Sequence, residues 1–301
     1  MWFKNLLIYR LDSKHGLTAD VLEEKLSRDA LQPCGSFQME SRGWVPPRGN
    51  EGYVHALERQ WLIAFGVNQR LLPASVINQE TKERAGALAE KQGHPAGRKQ
   101  IREIKERVIA ELMPKALTRR RVLRAWIDPV NRWLVVDTAA EKKAEELLDT
   151  LRKAAGGITI KRLDTAQSPA VAMTQWLSGG KAPAPFGIDQ DLELRAASEG
   201  RATVRYVNHP LDGREIRDHI SSGKAATRLG ITWKERVSFA LTELLQVKRV
   251  AFLEILKEDA QGKAGDADEQ FDADFALMTG ELSRMIADLA KALGGEKARD
   301  D

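Results

Sequence analysis

At 301 residues, with 43% hydrophobic and 30% charged residues, the chain has the composition of a globular protein of two or three structural units, which excludes disorder throughout. Lys and Arg outnumber Asp and Glu by 47 to 43, a formal net charge of +4 that weakly favours a polyanionic partner. The single cysteine, Cys34, excludes an internal disulfide and a multi-cysteine zinc site, so a cytosolic protein is expected.

The chain starts MWFKNLLIYRLDSK, whose short apolar run is broken by Lys4 and followed by no small-residue cleavage site; FKNLLIYRL reads as a buried strand, not a signal. No stretch approaches the ~20 apolar residues of a membrane span. LTADVLEEKLSRDAL places Leu17, Val21, Leu22 and Leu26 at helical spacing, with Thr18 as N-cap. GWVPPRGNEG, residues 43–52, is dense in Pro and Gly and reads as a turn or loop, and QWLIAFGV at 60–67 as a second strand.

QETKERAGALAEKQ and RKQIREIKERVIAELM form an αα-hairpin interrupted by GHPAG, where Gly93 and Pro95 stop the first helix. The second helix packs Ile101, Ile104, Val108 and Leu112 and leaves Arg98, Lys99, Arg102, Lys105 and Arg107 mostly on the wet side. LMPKALTRRRVLR follows as a basic loop, carrying Lys115, Arg119, Arg120, Arg121 and Arg124 into the strand VLRAWI. That strand pairs with RWLVVD across the turn DPVN; a helix closed by Gly156 and Gly157 and the strand ITIKRL come next. SGGKAPAPFG at 178–187 reads as a junction before ATVRYVN, a helix around LDGREIRDHISSG, and strands near ATRLGITW, RVSFALTE and VKRVAFLEI. A linker-like QGKAGDADE precedes a last amphipathic helix closed by Gly294 and Gly295. Trp44, Trp61, Trp126, Trp133, Trp176 and Trp233 occur in apolar patterns and read as core. The expected class is α+β, with one unit over 1–75 and 120–168, a helical-hairpin insertion over 76–119, and a second unit over 169–301.

Charge is unevenly placed. Residues 82–124 hold thirteen Lys or Arg against five Glu, whereas 254–301 hold thirteen Asp or Glu against six Lys or Arg. Arg119 to Arg121 have Glu103, Glu106 and Glu111 as candidate ion-pair partners, too few to neutralise the 98–124 block. The surplus suits phosphate contacts, which release counterions and read no sequence. GREIRDHISSGKAATRLG is a second, more dilute basic region, with Lys224 and Arg228 flanking a turn. The five histidines show no paired metal-ligand spacing, and no phosphate loop or nucleophile elbow is present. Asp272, Asp274 and Glu281 are the best candidates for a metal-dependent nuclease; the stronger structural alternative makes Asp274 the N-cap of the last helix.

As a set, WFKNLLIYRL, PCGS at 33–36, GWVPP at 43–47, LLPASVI at 71–77, WID at 126–128 and FDADFALMTGEL at 271–282 resemble the RdgC family of recombination-associated proteins, along the whole chain. The resemblance implies an α+β fold of base, centre and protruding tip, assembled as a ring-shaped homodimer around duplex DNA that restrains RecA-mediated recombination. It implies a cytoplasmic, nucleoid-associated DNA binder rather than an enzyme, with no cofactor, no metal and no membrane. Duplex DNA is the expected partner and single-stranded DNA a weaker one. The tip corresponds to the αα-hairpin and basic loop, where ALTRRR stands in place of the aromatic many relatives carry, so Leu117 and Arg120 are the expected tip contacts. The channel-facing loop corresponds to RYVNHPLDG, with Arg205, Asn208 and His209. The expected DNA-binding set is therefore Arg98, Lys99, Arg102, Lys115, Arg119, Arg120, Arg121, Arg205, Asn208, His209, Lys224 and Arg228. A metal-dependent nuclease and an architectural or RNA-binding protein are the alternatives.

Overall fold

The computed structural model describes residues 1–13, 16–49, 51–197, 200, 202–254 and 266–297. Along them run β1 (Asn5–Ser13), α1 (Ala19–Arg28), β2 (Glu40–Val45), β3 (Val54–Leu57), β4 (Gln60–Arg70), α2 (Ala74–Gln92) and α3 (Arg98–Leu112). After a 3₁₀ turn at Met113–Lys115 come β5 (Thr118–Asp128), β6 (Trp133–Asp137), α4 (Glu141–Ala155), β7 (Ile158–Arg162) and α5 (Pro169–Ser178). β8 (Phe186–Ala196), β9 (Thr203–Tyr206), α6 (Arg214–Ser221), β10 (Lys224–Trp233), β11 (Val237–Thr242), β12 (Val247–Phe252) and α7 (Ala267–Ala292) complete the described chain.

All twelve strands join one antiparallel sheet in the order β2-β4-β5-β6-β1-β12-β11-β10-β8-β9, with β3 on β4 and β7 on β1. Its centre is β1, and the period-2 alternation of a strand explains why consecutive residues Leu6 to Tyr9 are all apolar, one pair facing each side. Phe3, just before β1, and its residues Leu6 and Ile8 enter one core with Trp126, Trp233 and the α7 residues Phe275, Met278, Leu282, Met285 and Leu289. Leu7, Tyr9 and Leu11 enter a second core with Leu22 and Leu26 of α1 and Leu147, Leu148 and Leu151 of α4. Helices α1 and α4 thus cover one face of the β2 to β1 half. α5, α6 and α7 cover the other face of the sheet. Over β12 to β9 the first face carries polar side chains: Lys248 opposite Asn5, Arg228 opposite Glu193, and Glu193 opposite Arg205.

Local signals set several element ends. Thr18 Oγ1 accepts from the Val21 N–H at 3.3 Å, as its capping position requires. Gly93 stops α2 in the left-handed region, φ 75°, where residues with a Cβ are disfavoured. All six tryptophans expected in the core are at most 8% exposed.

The structure also corrects the sequence expectations. Residues 43–45 are the end of strand β2, not loop, and β3 begins two residues past the stretch, at Val54. TRRR is not a loop; it opens β5, paired with β4 from Thr118 onward. Most of the 178–187 junction is irregular, but helix α5 precedes it, begun by Ser168 and Pro169, and strand β8 follows at once. The last helix starts at Ala267, capped by Asp266, so Asp274 lies two turns inside it. Val21 and Ile101 are each 41% exposed, and in α3 Val108 alone is buried. Helices α2 and α3 pack mainly on each other. Of the linker-like QGKAGDADE, residues 261–265 lie outside the described residues. No described helix is long and apolar enough to cross a membrane.

Two facing glycines allow a close crossing near the sheet edge. Gly43 and Gly66 are register partners; the Ala30–Leu31 backbone lies on Gly43, where a Cβ would sit 2.6 Å from Leu31 Cα, and the Leu31 side chain lies on Gly66. Overpacking against backbone has no rotamer to escape into. Gly43→Ala is expected to lower unfolding stability by about 1–3 kcal/mol, read from urea melts at unchanged m-value.

Candidate nucleic-acid interface

Strand alternation divides the triple arginine. Arg119 and Arg121 oppose Gln69 and Val67, on the face where Leu123 and Val67 meet the α1/α4 core; Arg120 opposes Asn68 on the other face. Arg120 Nε donates to Asn68 Oδ1 at 3.1 Å. Asn68, 4% exposed, donates through Nδ2 to Gln32 O, which ties Arg120 into the segment crossing the glycines. Arg121 reaches Glu40 at 4.0 Å, and Arg119 is exposed. The expected pairing with the α3 glutamates does not form: Glu106 pairs with Arg102 at 3.1 Å and Glu111 with Arg84 at 2.8 Å.

Lys115 and Leu117 lie immediately before β5, both exposed, Leu117 to 77%. This end of the sheet is knotted by Arg70. Its guanidinium donates to the carbonyls of Gln38, Met113, Pro114, Ala116, Cys34 and Gly35 at 2.8–3.4 Å. Arg98, Lys99 and Arg102 occupy the far end of α3, roughly 20 Å from Lys115 at 1.5 Å per residue. The sequence-derived hairpin set is therefore not one patch.

The second group lies across the sheet. Five strand spacings separate β5 from β10, about 24 Å. Here the structure brings Arg205 and Arg228 together around one pocket with Arg249 and Tyr206. Asn208 has φ 51°, and its backbone N–H donates to Asp191 Oδ1 at 3.2 Å. His209 Nδ1 lies 2.6 Å from Pro210 O, its ring 5.1 Å from the Tyr206 ring. Lys224 Nζ donates to Ser222 Oγ and faces His219 Nδ1, both at 3.2 Å. Sequence reasoning missed Arg195 and Arg249. The signal for Arg195 was the alternation Leu192, Leu194 inward and Asp191, Glu193, Arg195 outward in β8.

The three carboxylates of the nuclease alternative are engaged separately. Asp272 accepts both contacts of Arg48 Nη1, at 3.0 and 3.1 Å, and lies 3.1 Å from His55 Nε2 without hydrogen-bond alignment. Asp274 is not a helix cap; it pairs with the Met1 amine and accepts from Gln270 Nε2 at 2.8 Å. Glu281, 2% exposed, pairs with Arg284 at 2.6 Å and Arg236 at 3.0 Å. Among the described residues no three His, Cys, Asp or Glu side chains converge on a metal-sized point.

Fold and site together define a mixed α/β protein on one large antiparallel sheet, with arginine-rich surfaces at two places on it. A family model described as "Putative exonuclease, RdgC" matches residues 1–296, and the chain belongs to the RdgC family. It is 52% identical over 299 residues to a recombination-associated protein RdgC of Dechloromonas aromatica, covering 98% of each chain. Proteins of the same name from Cupriavidus pinatubonensis and Bordetella pertussis are each 50% identical, with 99% of both chains covered.

His55 supplies a test of the α7 joint. Burial pushes its pKa below the ordinary value, Asp272 opposes that shift, and Arg48 adds to it. A lowered folded pKa means that the unfolded chain takes the proton more readily. The stabilising contribution is therefore complete above the unfolded pKa, ~6.5, and is lost as pH falls through the lower folded value. Urea midpoints measured from about pH 7 toward pH 5 should fall less steeply in His55→Gln than in the parent.

Proposed function

We propose that the chain is a DNA-binding protein without sequence preference, which closes as a homodimeric ring around duplex DNA and restrains RecA-mediated recombination by occupying it. Besides the family, one observation carries this reading. Arginines on strands, the exposed Arg119 on β5 and Arg205 on β9 and the half-buried Arg228 on β10, present positive charge on one sheet face with no base-reading element beside them. Guanidinium groups that meet phosphates this way release counterions and take any sequence. Scarcity of exposed aromatic platforms favours duplex over single strand.

In this reading residues 76–119 are the tip, 1–75 and 120–168 the centre, and 169–301 the base. A two-fold ring lets each subunit supply half of one basic channel and gives the exposed Leu117 a partner. Arg120, held by Asn68, positions the strand more than it reaches outward. The protein acts in the cytoplasm on the nucleoid, with no nucleotide or metal cofactor. The family's description as "Putative exonuclease" calls for one further test, of nuclease chemistry. Labelled duplex incubated with Mg²⁺ or Mn²⁺ should remain intact; shortening would overturn the non-enzymatic reading.

Sedimentation without DNA should show a dimer at micromolar concentration, and a monomer would remove the ring. Duplex affinity should vary little with sequence and fall steeply with salt, each phosphate contact adding roughly −0.9 to the log–log slope. Changing Arg119, Arg120 and Arg121 together to Glu should weaken binding and flatten that slope by about one unit per lost contact. Asp272→Asn with Asp274→Asn should instead lower thermal stability while leaving duplex affinity at the parent's level. The reverse pattern would move the site to the carboxylates.

A further inference from the structure

On the open face of the sheet, four arginines surround one carboxylate. Glu193 lies on β8 with its side chain 12% exposed, directly opposite Arg205 of β9 and Arg228 of β10. Its Oε2 accepts from Arg205 Nη2 at 2.6 Å and Nε at 3.2 Å, and its Oε1 from Arg195 Nη2 at 3.2 Å and Thr227 Oγ1 at 2.9 Å. The Arg205 hydrogen bonds are the largest of the causes that hold the Glu193 carboxyl below its usual pKa, so it is charged. Beside it Arg249 reaches Asp191 at 3.7 Å, and Arg195 also pairs with Glu243 at 3.0 Å.

Arg228 has no such partner. It forms no ion pair among the described residues, and its buried Nε has no hydrogen-bond acceptor. Burial, and after it the neighbouring Arg249, push its pKa below the ordinary arginine value, against the pull of Asp191 and Glu193. A guanidinium offers five donors in a fixed fork that suits an oxyanion, and an unsatisfied buried donor is costly. The space in front of it is a pocket of about 170 Å³ lined by Asp191, Leu192, Glu193, Arg205, Tyr206, Val207, Arg228 and Arg249. That volume exceeds the ~30 Å³ share of one water several-fold, so a phosphate group fits.

We propose that this pocket is a single-phosphate site centred on Arg228, and that Glu193 is its built-in competitor, holding Arg205 in the place a phosphate oxygen would take. The proposal rests on reading this face as a polyanion surface, and it adds a regulatory element to that reading. A phosphate entering the pocket satisfies Arg228 and draws Arg205 from Glu193, so part of its binding energy goes into breaking the internal ion pair. The resting protein is thereby held below its full affinity. Phosphodiester groups of a nucleic acid and free phosphate share this chemistry.

Two probes separate those sources: inorganic phosphate, followed by the unfolding midpoint against chloride at matched ionic strength, and duplex DNA, followed by anisotropy across a salt series. Glu193→Gln keeps the shape and the Thr227 hydrogen bond while removing the charge. It should strengthen the phosphate effect and tighten duplex binding several-fold, whereas Arg228→Gln should abolish the phosphate effect and flatten the DNA salt slope by about one unit. Tighter phosphate binding by Glu193→Gln with unchanged duplex affinity keeps the pocket, assigns it to free phosphate and overturns the DNA reading of this face. If neither variant changes either probe while the Arg119, Arg120 and Arg121 variant loses DNA, the DNA reading stands and the pocket is overturned. Should Glu193→Gln fail to fold, the parent and Arg228→Gln alone decide: equal phosphate effects in the two would sink the proposal.

Discussion

From Leu6 to Tyr9 strand β1 has no solvent face, and the rest of the molecule is arranged to meet that constraint. Successive side chains of a strand point to opposite sides, so a strand covered on both must be apolar at nearly every position. Leu6 and Ile8 serve one core while Leu7, Tyr9 and Leu11 serve the other, and Phe3 just ahead of the strand extends the first. β1 pairs with β6 and β7 along most of its length but with β12 at only two register positions, Asn5 with Lys248 and Leu6 with Val247. That short ladder is a weak joint between the two halves. Helix α7 reinforces it, burying Phe275, Met278 and Leu282 in the same core as Leu6, Trp126 and Val247, with Met278 Sδ accepting from the Phe3 N–H.

A continuous sheet fixes the charged surfaces relative to one another. Counting alternation across the ladder puts Arg119 and Arg121 on the same face as Arg205 and Arg228, and Arg120 on the opposite one. A strand twist of about 20–25° per step, over the five steps from β5 to β10, turns that face by roughly 100° or more. The two arginine groups therefore lie on one curved surface and not on a flat patch. Helices α1 and α4 occupy its middle because only there does the face carry apolar side chains.

Elements with strong periodicity or punctuation were legible in the sequence: β1, β4, α1 with its Thr18 cap, the α2–α3 pair ended by Gly93, the β5–β6 hairpin and β10 to β12. What escaped were strands whose composition disguises them. β2 ends in Trp44 and Val45 inside a Pro and Gly run, and its glycine serves a close backbone crossing instead of a turn. β8 keeps its alternation, but it carries two extra residues opposite Leu229–Ile231, and its inward positions include Gln190 between Ile188 and Leu192, which interrupts the apolar pattern. Three arginines opening β5 hid a strand because what they pair with, Gln69, Asn68 and Val67, lies on β4, which a local pattern does not show. The same blindness affected the site. Arg205 and Arg228 were identifiable as basic, whereas the carboxylate between them comes from β8, which the sequence had not resolved as a strand.

The acidic end of the chain answers a complementary question, namely why so many carboxylates gather on one helix of a basic protein. Asp266 caps α7, accepting from the N–H groups of Asp268 and Glu269 as a helix start requires. Farther along, each carboxylate meets a cation from a different part of the chain: Asp272 meets Arg48, Asp274 the Met1 amine, Glu281 Arg236, and Asp288 Lys234 at 3.8 Å. Exposed pairs of this kind contribute little stability, but Glu281 is buried, and removing one partner of a buried pair is expensive. The helix thus consumes cations that would otherwise face solvent near the joint. Among the described residues positive charge is left without an ion pair on α3, at Arg98, Lys99 and Arg107, on β5, at Arg119 and Arg120, and at Arg228, so a formal net charge of +4 understates how strongly these places attract an anion.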